Sequence, residues 1–173
     1  MHYADIKKAG IANGLGVRVS VFVSGCHHQC KNCFNKEAWD FNYGKEFTQK
    51  EIDKVLEELD HPYVAGLSLL GGEPLEYINQ QGLLPLVKQV KEKFPDKNIW
   101  CYTGYTFETD VMDHMYKYWK ETPELLSYID VMVDGKFVEE KKNAKLRFRG
   151  SSNQRILDVP KSVREKKAVL FEF

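Results

Sequence analysis

Three cysteines within eight consecutive residues are the most informative chemical feature of this sequence. Cys26, Cys30 and Cys33 follow the spacing Cys-x3-Cys-x2-Cys, directly after an alternating apolar run at residues 17–23. Thiolates so close in sequence typically bind a soft metal. Three protein thiolates leave one iron of a cubane iron–sulfur cluster open, whereas four thiolates suit simple electron transfer. The spacing therefore predicts a [4Fe–4S] cluster with one iron free to bind a small molecule.

Two other uses of these cysteines compete with a cluster. A disulfide framework fits poorly, because three of the four cysteines crowd one loop and no secretory segment precedes them. A structural zinc site normally takes a fourth ligand and a second ligand pair further along the chain. His27 or His28 could supply one ligand, but neighbours inside a short loop reach poorly, so we expect both to be solvated. The spacing favours the cluster and keeps zinc as the alternative.

The segments around the cysteines alternate between strand-like and helix-like periodicity. Strands are predicted at residues 17–23, 65–70, 98–102 and 128–133, with weaker signals at 156–159 and 168–173; helices are predicted after the capping box at Thr48, over 81–94 with Pro85 in the first turn, and over 107–119. This alternation indicates right-handed βαβ units around a parallel sheet. Active residues of such folds lie on loops at the carboxyl ends of the strands.

Four such loops carry residues suited to binding. They are Cys26 after the first strand, Gly71, Gly72, Glu73 and Pro74 after the second, Thr103 after the third and Asp134 after the fourth. Glycines allow a close backbone approach or a positive φ, and the carboxylate that follows them is able to hold an ammonium group. We expect these loops to converge on one rim of the sheet.

Composition limits the class of protein. The 173 residues are sufficient for one domain with a core, and 43% hydrophobic content excludes a disordered chain. Lys plus Arg and Asp plus Glu both number 25, so no basic excess indicates nucleic-acid binding. No apolar run approaches the length of a membrane span, and the N-terminus does not resemble a signal peptide. A cytoplasmic location without a membrane or nucleic-acid partner is expected.

Six short motifs in a fixed order give the sequence a family resemblance. They lie at residues 24–26, 33–36, 71–75, 100–105, 133–137 and 149–155. With these motifs the chain resembles the radical S-adenosylmethionine superfamily and, within it, the activating proteins of anaerobic ribonucleoside-triphosphate reductase, from about Asn13 to Arg155. Many superfamily members have an aromatic residue just before the third cysteine. Here Asn32 takes that position and Phe34 follows the cysteine.

The resemblance implies a partial (β/α) barrel of radical S-adenosylmethionine type over residues 1–173, with 155–173 as a C-terminal extension of unassigned role. It implies a [4Fe–4S] cluster on Cys26, Cys30 and Cys33 whose open iron chelates S-adenosylmethionine, with Gly72 and Glu73 holding the amino group. Reductive cleavage would yield a 5′-deoxyadenosyl radical that takes hydrogen from a glycine of the reductase. A low-potential donor such as flavodoxin or ferredoxin would supply the electron.

Three further expectations concern neighbouring residues and alternative functions. Related activases hold a monovalent cation on a threonine and an aspartate, so Thr103 and Asp134 are expected either to do so or, for Asp134, to cap the turn at Gly135. The polar segment 149–155 is predicted to line the cofactor rim or to dock the reductase. The alternative functions are activation of another glycyl-radical enzyme, and a zinc-stabilised binding module without catalysis.

Overall fold

A seven-stranded mixed sheet forms the centre of the molecule. The computed structural model describes residues 1–33 and 35–173. The strands are β1 His2–Gly10, β2 Val17–Val23, β3 Lys45–Glu46, β4 Val64–Gly71, β5 Asn98–Tyr102, β6 Val131–Asp134 and β7 Arg155–Asp158, in the order β3-β1-β2-β4-β5-β6-β7. The central strands β2, β4, β5 and β6 are parallel, and the outer β1, β3 and β7 pair antiparallel.

Helical segments connect the consecutive parallel strands, and one further helix follows β7. They are α1 Gln49–Leu59, α2 Tyr77–Lys93, α3 Tyr116–Tyr118, α4 Glu121–Tyr128 and α5 Val159–Glu165, with a π-helical segment at Phe107–Met115 and 3-10 turns at Lys36–Trp39 and Glu139–Lys141. α1 begins with the predicted capping box, in which the Thr48 N–H donates to Glu51 Oε2 at 2.7 Å. No helix among the described residues is long and apolar enough to cross a membrane.

The predicted α/β architecture is confirmed at its centre and corrected at its edges. The four main strands are present, but Tyr128 ends α4 instead of beginning β6. α2 begins four residues before its predicted start, at Tyr77, because the turn after Glu73 leads directly into it, and Pro85 therefore lies inside the helix. The purely parallel sheet was wrong because β1, β3 and β7 were not recognised as antiparallel neighbours. The predicted last strand is reduced to a bridge between Leu157 and Leu170.

The sheet is open, with β3 and β7 at its two ends in the described part of the chain. The barrel curvature implied by the family resemblance therefore stays a prediction. Residues 155–173, expected to be an extension, contribute β7 and α5, and Leu157 and Val159 are buried in the main core.

The two faces of the sheet are built differently. Alternating residues such as Val21, Leu69 and Cys101 pack with the helices in one large core. The other face carries Trp100, against which Phe148 and Phe171 pack edge-on at ring-centroid distances of 5.5 and 5.9 Å. The loop before β7 and the end of the chain thus cover this second face.

A fully buried arginine organises the second face. Arg18 lies on β2 with its guanidinium over the Trp100 ring, and Nε donates to Ser68 Oγ at 2.7 Å. Its other nitrogens donate to the carbonyl oxygens of Leu15, Leu67 and Asn98. Burial lowers the pKa of Arg18 to about 10, so the group is still a cation at neutral pH.

Candidate active site

The cysteine loop, residues 24–33, leaves the carboxyl end of β2 and is fixed by main-chain hydrogen bonds. The Gly25 N–H donates to Ala38 O at 2.7 Å, and the Cys26 N–H donates to Trp39 O at 3.2 Å. Gly25 has φ of +103°, and a Cβ there would lie 2.2 Å from the Phe41 ring, so this position requires glycine. The first cysteine is therefore held by backbone geometry.

All three loop cysteines line one cavity of about 580 Å³, within the usual size range of small-molecule sites. Their thiols are free and partly buried. Burial raises the pKa of Cys26 to about 11, partly offset by the backbone N–H groups of His28 and Gln29. The pKa of Cys30 is raised by burial and by Cys33, partly offset by the Phe137 N–H and the Lys136 charge.

The donor set fits an iron–sulfur cluster with three protein ligands. Three reduced thiols face one cavity, and a metal would replace their protons. Among the described residues, no three His, Cys, Asp or Glu side chains converge closely enough to hold a single metal ion. The fit of the cysteines to a larger cluster therefore rests on the cavity that all three line. Cys101 points into the helix-side core and is fully buried, as expected for a small hydrophobic side chain.

Gly71 and Gly72 allow the second loop to lie directly against the cysteine loop. Gly71 has φ of +111°, and a Cβ on Gly72 would lie 2.6 Å from Gly25 O. The Gly72 N–H donates to Val23 O at 2.7 Å, and the Glu73 N–H donates to Gly25 O at 2.8 Å. The glycines therefore bring two protein backbones together at the edge of the cavity.

The Glu73 side chain is 1% exposed, and its carboxylate is surrounded by donors of the same chain. Oε1 accepts from the Thr103 hydroxyl at 2.6 Å and from the Leu75 N–H at 2.9 Å. Oε2 accepts from the Gly104 N–H at 2.7 Å and from His28 Nε2 at 2.8 Å. Glu73 thus ties the second and third loops to the cysteine loop. The residue after it, Pro74, is buried in the turn that leads to α2.

The two histidines of the cysteine loop differ from each other. His27 is exposed, although its Nδ1 lies 3.0 Å from Glu76 Oε2. The solvated position expected for His28 was wrong, because its side chain is only 7% exposed, contacts Glu73 and packs edge-on against Tyr105 at 4.4 Å. His28 is therefore a structural part of the cavity rim.

Thr103 and Asp134 lie at the ends of β5 and β6, as predicted, but have different partners. Thr103 Oγ1 donates to Glu73 Oε1, whereas Asp134 is paired with the Arg155 guanidinium, with Nε–Oδ1 at 3.0 Å and Nη2–Oδ2 at 2.6 Å. Asp134 Oδ2 also accepts from the Phe107 N–H at 2.9 Å, at the start of the π-helical segment. The expectation that Asp134 caps the turn at Gly135 was therefore wrong. A cation on Thr103 and Asp134 stays a prediction.

Arg155 also contacts Glu108, at 2.7 Å from Nη2 to Oε1, and these two hydrogen-bonding carboxylates raise the pKa of the guanidinium. The cluster of Arg155, Asp134 and Glu108 borders a second cavity of about 620 Å³, which shares Gly104 and Gly135 with the cysteine cavity.

The polar segment 149–155 also reaches the cysteine cavity. Arg149, Gly150 and Gln154 line that cavity, and Asn153 lines the second one. The prediction that this segment lies on the rim is compatible with these positions, while its contact with a partner protein stays a prediction.

Sequence reasoning missed the structural roles of His28 and Glu76, which join the cysteine loop to its neighbours. His28 gave no signal beyond its place between two cysteines. Glu76 is buried and accepts from the His27 N–H at 3.0 Å and from the Tyr105 hydroxyl at 3.2 Å. Its place three residues after Glu73, at the start of α2, was the available signal. Phe34, named in the motif comparison, lies outside the described residues.

Comparison with known proteins places this geometry in a family. A family described as "4Fe-4S single cluster domain" matches residues 12–157. Similar relatives, each named anaerobic ribonucleoside-triphosphate reductase-activating protein, come from Vibrio cholerae (42% identical, covering 89% of this chain and 96% of the relative), Pasteurella multocida (41%, 89% and 95%) and phage T4 (39%, 90% and 93%). Since these matches span most of both sequences, the chain belongs to the family of anaerobic ribonucleoside-triphosphate reductase-activating proteins.

Proposed function

We propose that this protein activates an anaerobic ribonucleoside-triphosphate reductase by radical S-adenosylmethionine chemistry. Cys26, Cys30 and Cys33 would hold a [4Fe–4S] cluster, as the family match supports. When bound, such a cluster supplies one electron that cleaves S-adenosylmethionine to methionine and a 5′-deoxyadenosyl radical, which removes a hydrogen atom from a glycine of the reductase. A low-potential donor such as flavodoxin or ferredoxin would provide the electron.

The residues of the chain contribute placement and exclusion of water. The three thiols of the cysteine loop line the 580 Å³ cavity, which is also lined by Phe22, Leu70 and Val133 from three strands of the sheet. These apolar side chains shield a reactive radical from solvent. Gly72 and Glu73 lie beside the cysteine loop. The amino and carboxylate groups of S-adenosylmethionine, bound to the open iron, would therefore lie next to the backbone of the loop 71–73.

One observation carries the proposal: three free thiols and the buried Glu73 network share a single cavity in a chain of this family. A cofactor ammonium in contact with the Glu73 carboxylate would have to replace one of the four donors already present. His28 is the donor that comes from the cysteine loop itself, so it is the contact that a bound cofactor would displace.

Anaerobic reconstitution with iron and sulfide tests the cluster. Cys26→Ala, Cys30→Ala and Cys33→Ala should each lose the cluster, while Cys101→Ala, a core position, should keep about four irons per chain. Visible absorption and iron and sulfide analysis measure this result. A complete cubane in Cys30→Ala, or zinc alone in the unmodified protein, would refute the proposal.

The reductase itself tests the partner. The reconstituted protein, with a chemical reductant and S-adenosylmethionine, should generate a glycyl-radical signal by electron paramagnetic resonance on anaerobic ribonucleoside-triphosphate reductase. It should generate none on another glycyl-radical enzyme. The opposite pattern would replace this partner with the alternative one.

A further inference from the structure

The segment 149–155, here called the clamp segment, binds the backbone of the loop 135–138. Asn153 Nδ2 donates to Lys136 O at 2.8 Å, and Gln154 Nε2 donates to Gly135 O at 3.0 Å. In the reverse direction, the Val138 N–H donates to Ser151 Oγ at 3.2 Å. Consecutive carbonyls of the loop are thus held by consecutive side-chain amides.

The clamp segment is itself held in shape by internal hydrogen bonds. Gln154 Oε1 accepts from the N–H groups of Gly150 and Ser151 at 2.9 and 3.0 Å. Arg149 Nη1 donates to the Gln154 carbonyl at 2.5 Å. One glutamine side chain therefore fixes the segment with its oxygen and the loop 135–138 with its nitrogen, which makes the segment a rigid support.

The other side of the loop 135–138 faces the cysteines. Gly135, Phe137 and Gln154 line the same cavity as Cys30. The backbone N–H of Phe137 and the ammonium of Lys136 lie near enough to the Cys30 sulfur to favour its thiolate. The clamp segment therefore holds, through two carbonyls, a loop that borders the same cavity as one proposed cluster ligand.

We propose that Asn153 and Gln154 are positioning residues that hold the loop 135–138 against Cys30 and thereby set the properties of the cluster. This inference rests on the proposed function. Hydrogen bonds to the sulfurs help to set the reduction potential of an iron–sulfur cluster, and positive charge nearby favours the reduced, more negative state. A loop released by the clamp segment loses both effects, so the cluster becomes harder to reduce and Cys30 a weaker ligand.

The test uses the reconstituted full chain with Asn153→Ala, Gln154→Ala and the double variant. Gln89→Ala is the matched control, because its exposed amide pairs with Gln49 on the helical surface. At the midpoint potential of the parent protein, each clamp variant should show about a tenfold fall in the ratio of reduced to oxidised cluster, the effect of one charge-assisted hydrogen bond of about 1.4 kcal/mol. Release of iron to a chelator should also be faster.

Several outcomes decide the inference. Because both amides act on one loop, the double variant should shift the potential by less than the sum of the single shifts. Gln154→Met keeps the length of the side chain and replaces Gln154→Ala if that variant does not fold by circular dichroism. Folded, fully loaded variants with the parent potential and iron-release rate would overturn the inference, as would an equal shift in Gln89→Ala. A failure of the proposed function gives a different result, because Cys30→Ala would then keep its cluster.

Discussion

Replacement of Glu73 by glutamine separates a structural role of this carboxylate from a role limited to the cofactor. If Glu73 only binds the cofactor ammonium, Glu73→Gln should leave the free protein as stable as the parent. If Glu73 holds the loops together, as its four contacts indicate, the apoprotein itself should be destabilised.

The magnitude follows from the geometry around the two oxygens. The amide nitrogen is best placed at Oε1, where the Thr103 hydroxyl can rotate and accept, but the buried Leu75 N–H then loses its acceptor at a cost of about 1–3 kcal/mol. At Oε2, the bonds from Gly104 and His28 become neutral and lose about 1 kcal/mol each. The sum is about 3–5 kcal/mol, or a Tm lower by roughly 10 °C in a chain of this size.

Urea unfolding of the reduced apoprotein, followed by circular dichroism, measures this loss. Glu57→Gln is the control, because Glu57 is exposed on α1 and should change the free energy of unfolding by less than about 0.5 kcal/mol. Parent-like stability of Glu73→Gln, together with weaker binding of S-adenosylmethionine, would refute the structural role and return Glu73 to a ligand of the cofactor.

Three further predictions concern other parts of the site. Gly72→Ala should prevent stable cluster reconstitution, because its Cβ would lie 2.6 Å from Gly25 O; normal iron content would contradict this. Arg155→Ala should lower the free energy of unfolding by about 3–5 kcal/mol, since it leaves the buried Asp134 carboxylate unpaired, and urea unfolding with parent-like stability would disprove it. Cys26 should react with a disulfide reagent at pH 8 roughly tenfold more slowly than free cysteine, because its pKa of about 11 reduces the thiolate fraction more than it raises nucleophilicity; mass spectrometry of the labelled peptide measures the rate.

The raised thiol pKa also predicts how the stability of the apoprotein depends on pH. The folded pKa of Cys26 lies above its ordinary value of 9.0, so the contribution of this thiol to stability is complete below about pH 9. It is lost as the pH rises through about 11, because ionisation then favours the unfolded chain. Urea midpoints from pH 8 to 11 should fall less in Cys26→Ala than in the parent.

The elements predicted best from sequence are those whose periodicity reflects burial. The apolar β2 and β4 and the capping box of α1 were located correctly because local sequence determines them. β1 was missed, since its residues, such as Lys7 and Lys8, face solvent in part and show no clear alternation. Antiparallel pairing of β7 depends on where the chain returns to the sheet, which no local pattern encodes.

Residue types and spacing indicated which loops meet but not which side chains bind each other. The cysteine spacing led to a cavity that all three thiols share, and the Gly71-Gly72 pair marked a close approach. In the structure this approach joins the backbones of the Gly71-Gly72 loop and the cysteine loop. Sequence alone did not show this, because it depends on the register of β2 and β4. The pairing of Asp134 with Arg155 joins neighbouring strands that run antiparallel, and sequence reasoning did not identify Arg155 as the partner of Asp134.

The buried Arg18 has a consequence for how the molecule folds. Its described acceptors belong to three regions of the chain, around residues 15, 67 and 98, and they are uncharged. A cation removed from water before all three regions are in place would lack part of its compensation, which is energetically unfavourable. Partial assembly of this face is therefore disfavoured, and we expect it to form and melt as one cooperative unit, with hydrogen-exchange protection that appears together in β2, β4 and β5.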